Sequence, residues 1–356
     1  MIRTIQFWFN RYFSDPEAVL LSVLLVLGFG LVIIMGEIMA PVLASIVIAY
    51  LLESIVNALQ KLNLPRLPAL LIAFIGFWGL FFISFVFLLP LIWKQLISLF
   101  NDLPNMTMKG QNILVELSER FPQFFSEDQI NTFTSGFVAQ ARDWGKVVLS
   151  VSWSSIAWIM TGIVYLVLVP LLVFFFLKDR DEIIRWAVGF LPDRRSVLKR
   201  VSVELNEQIA NYIRGKVVEI LVVGVATYVV FWFFGMRYAV LLASLVGISV
   251  LIPYVGAIVV TFPVFLVAYL QWGLSSDFGY AMFAYLVVQG LDGNVLVPLL
   301  FSEAVNLHPI AIIVAILFFG GIWGFWGVFF AIPLATLVKA VLNAWPRGHQ
   351  LGTSKR

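Results

Sequence analysis

Polar side chains and helix breakers are concentrated in one interval of an otherwise strongly apolar sequence, residues 289–309. The interval lies between two apolar blocks and supplies carboxylate, amide and imidazole groups from Gln289, Asp292, Asn294, Glu303, Asn306 and His308. Hydrocarbon contains no water to satisfy such groups, so at membrane depth they normally line a cavity, a pathway or a helix interface. The interval therefore predicts a polar transport pathway, and a surface loop of ordinary turn residues is the alternative.

The chemistry of these side chains suits ions or protons. Carboxylate and amide oxygens are ligands that hard cations such as Na⁺ prefer. A carboxylate in a medium of low dielectric constant can also exchange protons. Glu37 and Glu53 add two further carboxylates to the predicted membrane region. His308 precedes Pro309 at a predicted helix start, where a histidine is more often a cap or a packing residue than a pH sensor.

The composition excludes a soluble globular protein. Hydrophobic residues make up 61% of the chain, charged residues make up 12%, and the mean hydropathy is +0.98. There is no cysteine and there are two histidines, which excludes thiolate and histidine-rich metal sites. No phosphate-binding loop, zinc-protease, nucleophile-elbow or dinucleotide motif is present. We therefore expect a membrane protein that is not an enzyme, with no catalytic residues, metal, cofactor or nucleic-acid partner.

Hydropathy and segment length predict an all-α polytopic membrane protein with about eight transmembrane helices plus a re-entrant or broken helix pair. The first apolar run is expected to be a retained membrane helix, because no small-x-small cleavage site follows it. Residues 36–37 are expected to form a turn, and Pro90 to end a span. Six segments are predicted: N-terminal membrane helices (1–92), an extracytoplasmic (periplasmic) helical segment (93–146), a long membrane helix (147–177), a cytoplasmic amphipathic segment (178–216), a C-terminal membrane region with signature motifs (217–345) and a cytoplasmic tail (346–356).

Loop charges predict the orientation of these segments. Residues 178–216 carry nine Lys and Arg residues, against five in residues 94–146. The positive-inside rule places the first loop in the cytoplasm and the second outside, and an even number of crossings then puts both termini in the cytoplasm. Apolar residues every four positions predict an amphipathic helix that continues into the next span: Val201, Leu205, Ile209, Ile213 and Val217.

The apolar stretch 240–270 has an awkward length. A straight helix of this size would be about 46 Å long, which exceeds the hydrocarbon core of about 30 Å but is too short for two full crossings. Pro253 and Pro263 interrupt it, so we expect two short or re-entrant helices that meet at residues 249–256, and the sequence leaves open whether the pair crosses or re-enters. The predicted hinges are Pro253, Gly256, Gly293 and Pro298. The predicted helix-packing glycines are Gly320 and Gly324, and Gly320 is the first residue of a Gly-Gly pair that lies between two apolar arms.

Several motifs recur in an order and spacing that resemble a known family. They are I-P-Y-V-G-A at residues 252–257, D-G-N-V-L-V-P-L at 292–299, A-V-N-L-H-P at 304–309, F-F-L-K-D at 175–179, N-Y-I-R-G-K at 211–216 and G-G-I-W-G-F-W-G-V-F-F-A-I-P-L-A at 320–335. Together these motifs resemble the autoinducer-2 exporter family, and the resemblance covers essentially the whole chain.

The resemblance implies a multi-pass protein of the bacterial inner (cytoplasmic) membrane, in contact with the lipid bilayer and assembled as a homo-oligomer. Members of the family have been assigned export of autoinducer-2, and others Na⁺ or Li⁺/proton antiport. We accordingly predict a permease that exports a small polar solute, similar to autoinducer-2, by a secondary, ATP-independent mechanism. The alternatives are a Na⁺(Li⁺)/H⁺ antiporter, whose partners are a monovalent cation and a proton, and a non-transporting oligomeric scaffold that binds envelope proteins.

Overall fold

A computed structural model describes residues 16–120, 136, 156–190, 196–301 and 307–344. Within these ranges all regular structure is helical, which confirms the predicted all-α class. A five-residue π-helical turn, Asp292–Leu296, joins two of the helices. The helices are α1 (Pro16–Gln60), α2 (Arg66–Arg120), α3 (Ile156–Lys178), α4 (Arg180–Gly189), α5 (Ser196–Phe233), α6 (Ala239–Ser249), α7 (Val255–Trp272), α8 (Ser276–Leu291), α9 (Val297–Phe301) and α10 (Pro309–Ala344).

The described helices identify a multi-pass membrane protein. Six of them are long and apolar enough to cross a membrane, and a seventh span results if α3 and α4, which are bent by 78° relative to each other, count together. The predicted number of eight is not confirmed. Large apolar side chains face outward, as Phe87 does with 73% of its surface exposed. Such faces are stable in lipid, where burial of apolar surface gives no advantage over exposure.

The N-terminal helix α1 differs from the prediction of two helices joined by a turn at residues 36–37. The chain remains helical from Pro16 to Gln60, and Met35 is the single residue with non-helical dihedral angles. One candidate span, Ile38–Gln60, follows this kink. Pro41 removes an N–H donor within the span, and the Ser45 hydroxyl donates to the carbonyl oxygen of Pro41 at 2.6 Å. The helix is therefore interrupted next to the predicted position, but the interruption is a kink within one helix and not a turn between two helices.

The prediction that Pro90 ends a span is wrong. Helix α2 continues through Pro90 as far as Arg120, which gives it 55 residues. The segment predicted at 93–146 therefore begins as an extension of a membrane helix and not as a separate set of short helices. Most of its remainder lies outside the described residues. Proline is tolerated within membrane helices, because neighbouring groups can satisfy the one carbonyl that it frees.

The chain divides into two compact units. The first contains residues 1–75, 167–217 and 298–356, and the second contains residues 76–166 and 218–297. In the second unit a buried apolar core forms where the end of α5 packs with α6, α7 and α8. Val223, Val246, Val264 and Tyr285 are among its members. Small and β-branched side chains allow these helices to approach closely, as is typical of membrane helix packing.

Residues 240–270 fold as the expected helix pair, with a break at residues 250–254. The short helix α6 has 11 residues, whereas α7 has 18 and is a candidate span. A Cβ atom on Gly256 would lie 1.8 Å from the carbonyl oxygen of Ser249, so the chain folds back on itself at a point that only glycine permits. At the other end, the Gln271 side chain accepts a hydrogen bond from the Arg237 N–H and donates one to the Gly235 carbonyl oxygen. The pair therefore starts and finishes side by side, as a re-entrant hairpin does.

The C-terminal helix α10 contains a second sharp reversal, in the first unit. Its break lies at Gly324, which has a φ of +58°, and not at the adjacent Gly-Gly pair that the sequence predicted. A Cβ atom on Gly327 would lie 1.9 Å from the carbonyl oxygen of Phe319. The two arms are therefore pressed together, and the Tyr212 hydroxyl of α5 donates to the Phe329 carbonyl oxygen at 3.2 Å.

Candidate functional site

The predicted polar interval remains helical over its first part. Helix α8 runs through the π turn into α9, and Ser276–Phe301 is a single candidate span. Both predicted hinges in this part, Gly293 and Pro298, therefore lie within a continuous helical path. The Asn294 side chain, which lies in the π turn, donates to the Gly290 carbonyl oxygen at 2.8 Å. This contact gives Asn294 a structural role inside the membrane.

Two of the predicted pathway residues share a helix face with a buried tyrosine. Tyr285, Gln289 and Asp292 follow one another at spacings of four and three residues, which places them on one side of α8. The Tyr285 hydroxyl lies 2.9 Å from the Thr261 hydroxyl of α7, and the Gln289 side chain lies against the same group. The Nε2 atom of Gln289 is buried beside this hydroxyl group. We call Thr261, Tyr285, Gln289 and Asp292 the polar row.

The other predicted residues are placed separately. Glu303 and Asn306 lie outside the described residues. His308 is exposed, and its Nδ1 atom accepts a hydrogen bond from the Ile310 N–H at 3.3 Å, which is the geometry of a helix cap.

The predicted glycine and proline positions fall mostly at the two reversals of the chain. Pro253 and Gly256 lie at the break between α6 and α7, as predicted for a hinge. A Cβ atom on Gly320 would meet the Val328 side chain within α10, and Gly324 forms the turn. Packing of these two glycines against a second subunit stays a prediction.

A polar cavity of about 380 Å³ lies in the first unit. It is lined by α1, α3, α4 and α5. The polar side chains in its wall are Tyr50, Glu53, Ser54, Asn57, Arg180, Asn206 and Arg214. The α1 members fall on one helix face because they follow one another at spacings of three, one and three residues. Cavities of this size bind small molecules in proteins of known structure.

Glu53 is the carboxylate of this cavity. Its Oε1 atom lies 2.8 Å from Nη1 of Arg180 and 3.6 Å from Nη2 of Arg66. Its Oε2 atom is buried and has no hydrogen-bond partner in the described part of the chain. Its side chain is 13% exposed. A half-satisfied carboxylate is costly in a partly dehydrated site, so Glu53 has the properties of a functional group.

The bend between α3 and α4 positions Arg180 at the cavity. Asp179 has non-helical dihedral angles, and α4 begins immediately after it with Arg180. Arg66 also donates from Nη2 to the Leu177 carbonyl oxygen at 3.2 Å, which satisfies a group at the end of α3. On the opposite wall the Tyr50 hydroxyl donates to Oδ1 of Asn206 at 2.8 Å and so connects α1 to α5.

Sequence reasoning found Glu53 but missed the arginines and Tyr50. Glu53 was identified as an intramembrane carboxylate, whereas Arg180 and Arg214 were counted among the loop charges that set the orientation and Arg66 was given no role. The signal that could have found them was present in the motifs of the family resemblance. F-F-L-K-D ends one residue before Arg180, and N-Y-I-R-G-K contains Arg214. Arg180 approaches Glu53 because the chain bends after α3, and no periodic pattern in the sequence predicts this bend.

A multi-pass helical chain with a charged cavity among its helices has the construction of a membrane transporter. Residues 21–347 match the family described as AI-2E family transporter, and the chain belongs to that family. It is 47% identical over 348 residues to "Putative permease PerM" of Escherichia coli (strain K12), covering 98% of this chain and 99% of that protein. It is 27% identical over 315 residues to "Putative transport protein YueF" of Bacillus subtilis (strain 168), covering 87% of this chain and 84% of that protein.

Proposed function

We propose that the protein is a permease of the bacterial inner membrane that exports a small polar solute, similar to autoinducer-2, without ATP hydrolysis. The observation that carries this proposal is the cavity with the partly buried carboxylate of Glu53 in its wall. A cavity of this size with convergent polar groups suits a small solute. The family supports a transport function in general, and the names of the two relatives describe a permease and a transport protein.

The cavity is proposed to face the cytoplasm. Arg180 lies in the strongly basic segment 178–216, which the charge pattern assigns to the cytoplasm, and Glu53 and Arg66 lie on either side of the loop between α1 and α2. In the structure these residues meet in one ion-paired group, as they must if both loops lie on one side of the membrane.

The polar row is proposed to line a deeper part of the solute pathway. Hydroxyl, amide and carboxylate groups within a candidate span are costly unless they are paired or face a pathway.

The permease proposal is tested by efflux from proteoliposomes. The purified protein is reconstituted without ATP, the vesicles are loaded with autoinducer-2, and its release is followed over time. We expect release faster than from protein-free vesicles, and slower release from vesicles that contain the Glu53→Gln variant. The Glu182→Gln variant is the matched control, because Glu182 is exposed on α4 and does not line the cavity. Release at the protein-free rate would contradict export of this solute.

Cation/proton antiport is the second candidate, and Asp292 is the observation in its favour. The Oδ1 atom of Asp292 is buried within a candidate span, where a carboxylate can exchange protons. Vesicles with an imposed proton gradient should then lose it when Na⁺ or Li⁺ is added. A gradient that persists would remove this candidate. A scaffold function draws no support from the described residues, because most of residues 121–155 lie outside them.

A further inference from the structure

The cavity of the first unit carries more positive than negative charge. Two guanidinium groups, those of Arg180 and Arg214, line it together with one carboxylate, that of Glu53. Arg66 brings a third guanidinium group to within 3.6 Å of the same carboxylate. Because like charges repel in a partly dehydrated site, this wall disfavours a bare cation and attracts an anion.

Arg214 is the cation whose charge is least compensated. Its Nε atom donates to the Ala210 carbonyl oxygen at 3.1 Å, and its Nη2 atom donates to Oδ1 of Asn211. Both acceptors are neutral, so no carboxylate in the described ranges pairs with this guanidinium group. A planar guanidinium fork matches carboxylate and phosphate oxygens well.

Arg180 can exchange its partner at little cost. It holds Oε1 of Glu53 at 2.8 Å, and Arg66 approaches the same oxygen atom. If an anion takes Arg180, Glu53 keeps a positive neighbour in Arg66. The carboxylate therefore acts as an internal competitor that occupies Arg180 when no solute is bound.

Building on the permease proposed above, we propose that among small polar solutes the cavity prefers a hydroxylated anion that carries a carboxylate or phosphate group, and takes solutes without such a group, autoinducer-2 included, more weakly. Arg180 and Arg214 bind the anionic group. The neutral part of the wall, which includes Tyr50, Ser54 and Asn206, takes the hydroxyl groups. Glu53 returns to Arg180 when the solute leaves, so it weakens binding and speeds release.

The first test measures binding to the purified full-length protein in detergent by isothermal titration calorimetry. The probes are L-malate, glycerol 3-phosphate and the uncharged solute erythritol. We expect one or both anions to bind and erythritol not to bind, with affinity reduced about tenfold in Arg180→Gln and Arg214→Gln, because each loses a charge-assisted contact. Arg185→Gln is the matched control, since Arg185 is exposed on α4 and does not line the cavity.

The charge competition predicts a change of opposite sign for Glu53→Gln. Removal of the carboxylate charge should tighten anion binding several-fold, whereas damage to the fold would weaken it. The proposal is overturned if erythritol binds as well as the anions, if no anion binds, or if Arg180→Gln and Arg214→Gln bind anions as the wild type does.

A second test needs no ligand and uses one introduced cysteine. The chain contains no cysteine of its own that could interfere. A single cysteine is placed in the cavity as Ser54→Cys, and its rates of modification by negatively and positively charged thiosulfonates of similar size are compared. The same ratio at Leu274→Cys is the reference, because Leu274 is 82% exposed and does not line the cavity. We expect the ratio to favour the negative reagent at Ser54→Cys, and to shift toward the positive reagent when Arg214→Gln is added. Equal ratios at both positions would overturn the proposal.

A soluble anion and the headgroup of an anionic lipid share this chemistry, so the titration is repeated in nanodiscs. Malate binding that is equal in phosphatidylglycerol and phosphatidylcholine nanodiscs supports a soluble solute. Binding that disappears in phosphatidylglycerol would show that headgroups occupy the site and would overturn the proposal. Failure of export is a separate result. Anion binding without efflux would contradict the permease proposal but not the anion site. Efflux of uncharged solutes alone would contradict the anion site but not the permease proposal.

Discussion

The cavity of the first unit and the polar row of the second unit accommodate polar side chains in a membrane protein in different ways. The cavity uses ion pairs, and its charges remain accessible beside Glu53 and Arg180. The polar row uses hydroxyl and amide groups packed among apolar side chains, and Tyr285 is fully buried there. Accessible charges can exchange partners with a solute, whereas a buried hydrogen bond must break before either group can move.

This difference predicts that substitutions in the cavity change binding and release, and that substitutions in the polar row change stability or passage. A polar-row substitution that changes anion binding, or a cavity substitution that changes only stability, would contradict this comparison.

The largest effect is expected for Glu53→Gln. Release of the solute requires a carboxylate that takes Arg180 back, and a charge-assisted contact contributes about 1.5–3 kcal/mol. We expect the efflux rate to fall about tenfold to hundredfold while anion affinity rises, measured in proteoliposomes and by calorimetry. Equal loss of affinity and of efflux would show that Glu53 binds the solute directly.

The next effect tests whether polar contacts in the second unit are structural. Burial, the hydrogen bond from the Tyr238 hydroxyl to Oδ2 of Asp102 at 2.5 Å, and the charge of Asp102 raise the pKa of Tyr238 to about 12. The folded state then keeps a proton that the unfolded state releases, so this stability is present below about pH 10 and is lost as the pH rises through 12. The loss should be seen as a fall in Tm as the pH rises from about 10 to 12.

The Tyr238→Phe variant should lack this part of the pH dependence. Tyr254→Phe is the control, because Tyr254 is 55% exposed. An unchanged slope of Tm against pH in Tyr238→Phe would contradict the assignment.

Asp292→Asn is expected to slow transport and to leave anion affinity unchanged. The substitution keeps the size of the side chain and removes its charge in a candidate span. We expect efflux to fall about fivefold, as for loss of roughly 1 kcal/mol, with Asp277→Asn as the exposed control on the same helix. Wild-type efflux would remove Asp292 from the proposed pathway.

The smallest effect is expected for Tyr285→Phe. The variant loses a buried hydrogen bond with Thr261 but keeps the ring, so its free energy of unfolding should fall by about 1 kcal/mol. Anion binding should stay the same. Tyr280→Phe, at a position 65% exposed, is the control. Altered anion binding in Tyr285→Phe would show that the two regions are not independent.

Those features that depend on apolar length and on local breakers could be predicted from the sequence. The helical class, the break at Pro253 and the continuation of the amphipathic helix into a span follow from residue type and spacing, and α5 does run from Ser196 to Phe233. Features that depend on how a breaker is accommodated could not. Pro90 and Pro298 look alike in sequence to Pro253, yet only Pro253 lies at a reversal, because Gly256 is close enough in sequence to permit contact with Ser249.

The candidate site was predicted less well than the fold. Gln289 and Asp292 were singled out because polar side chains in an apolar block are conspicuous. The arginines of the cavity were not, because Arg and Lys in loops have an alternative explanation in membrane orientation. Only the fold brings Arg66 and Arg180, which are more than a hundred positions apart, to one carboxylate.

The uninterrupted helix α2 makes the membrane and the space outside it mechanically continuous. With 55 residues it is about 80 Å long, against a hydrocarbon core of about 30 Å. The part beyond the bilayer is therefore a stiff arm of about 50 Å. If the helix moves as one rod, a tilt of about 10° within the membrane would displace its far end by roughly 9 Å relative to the bilayer.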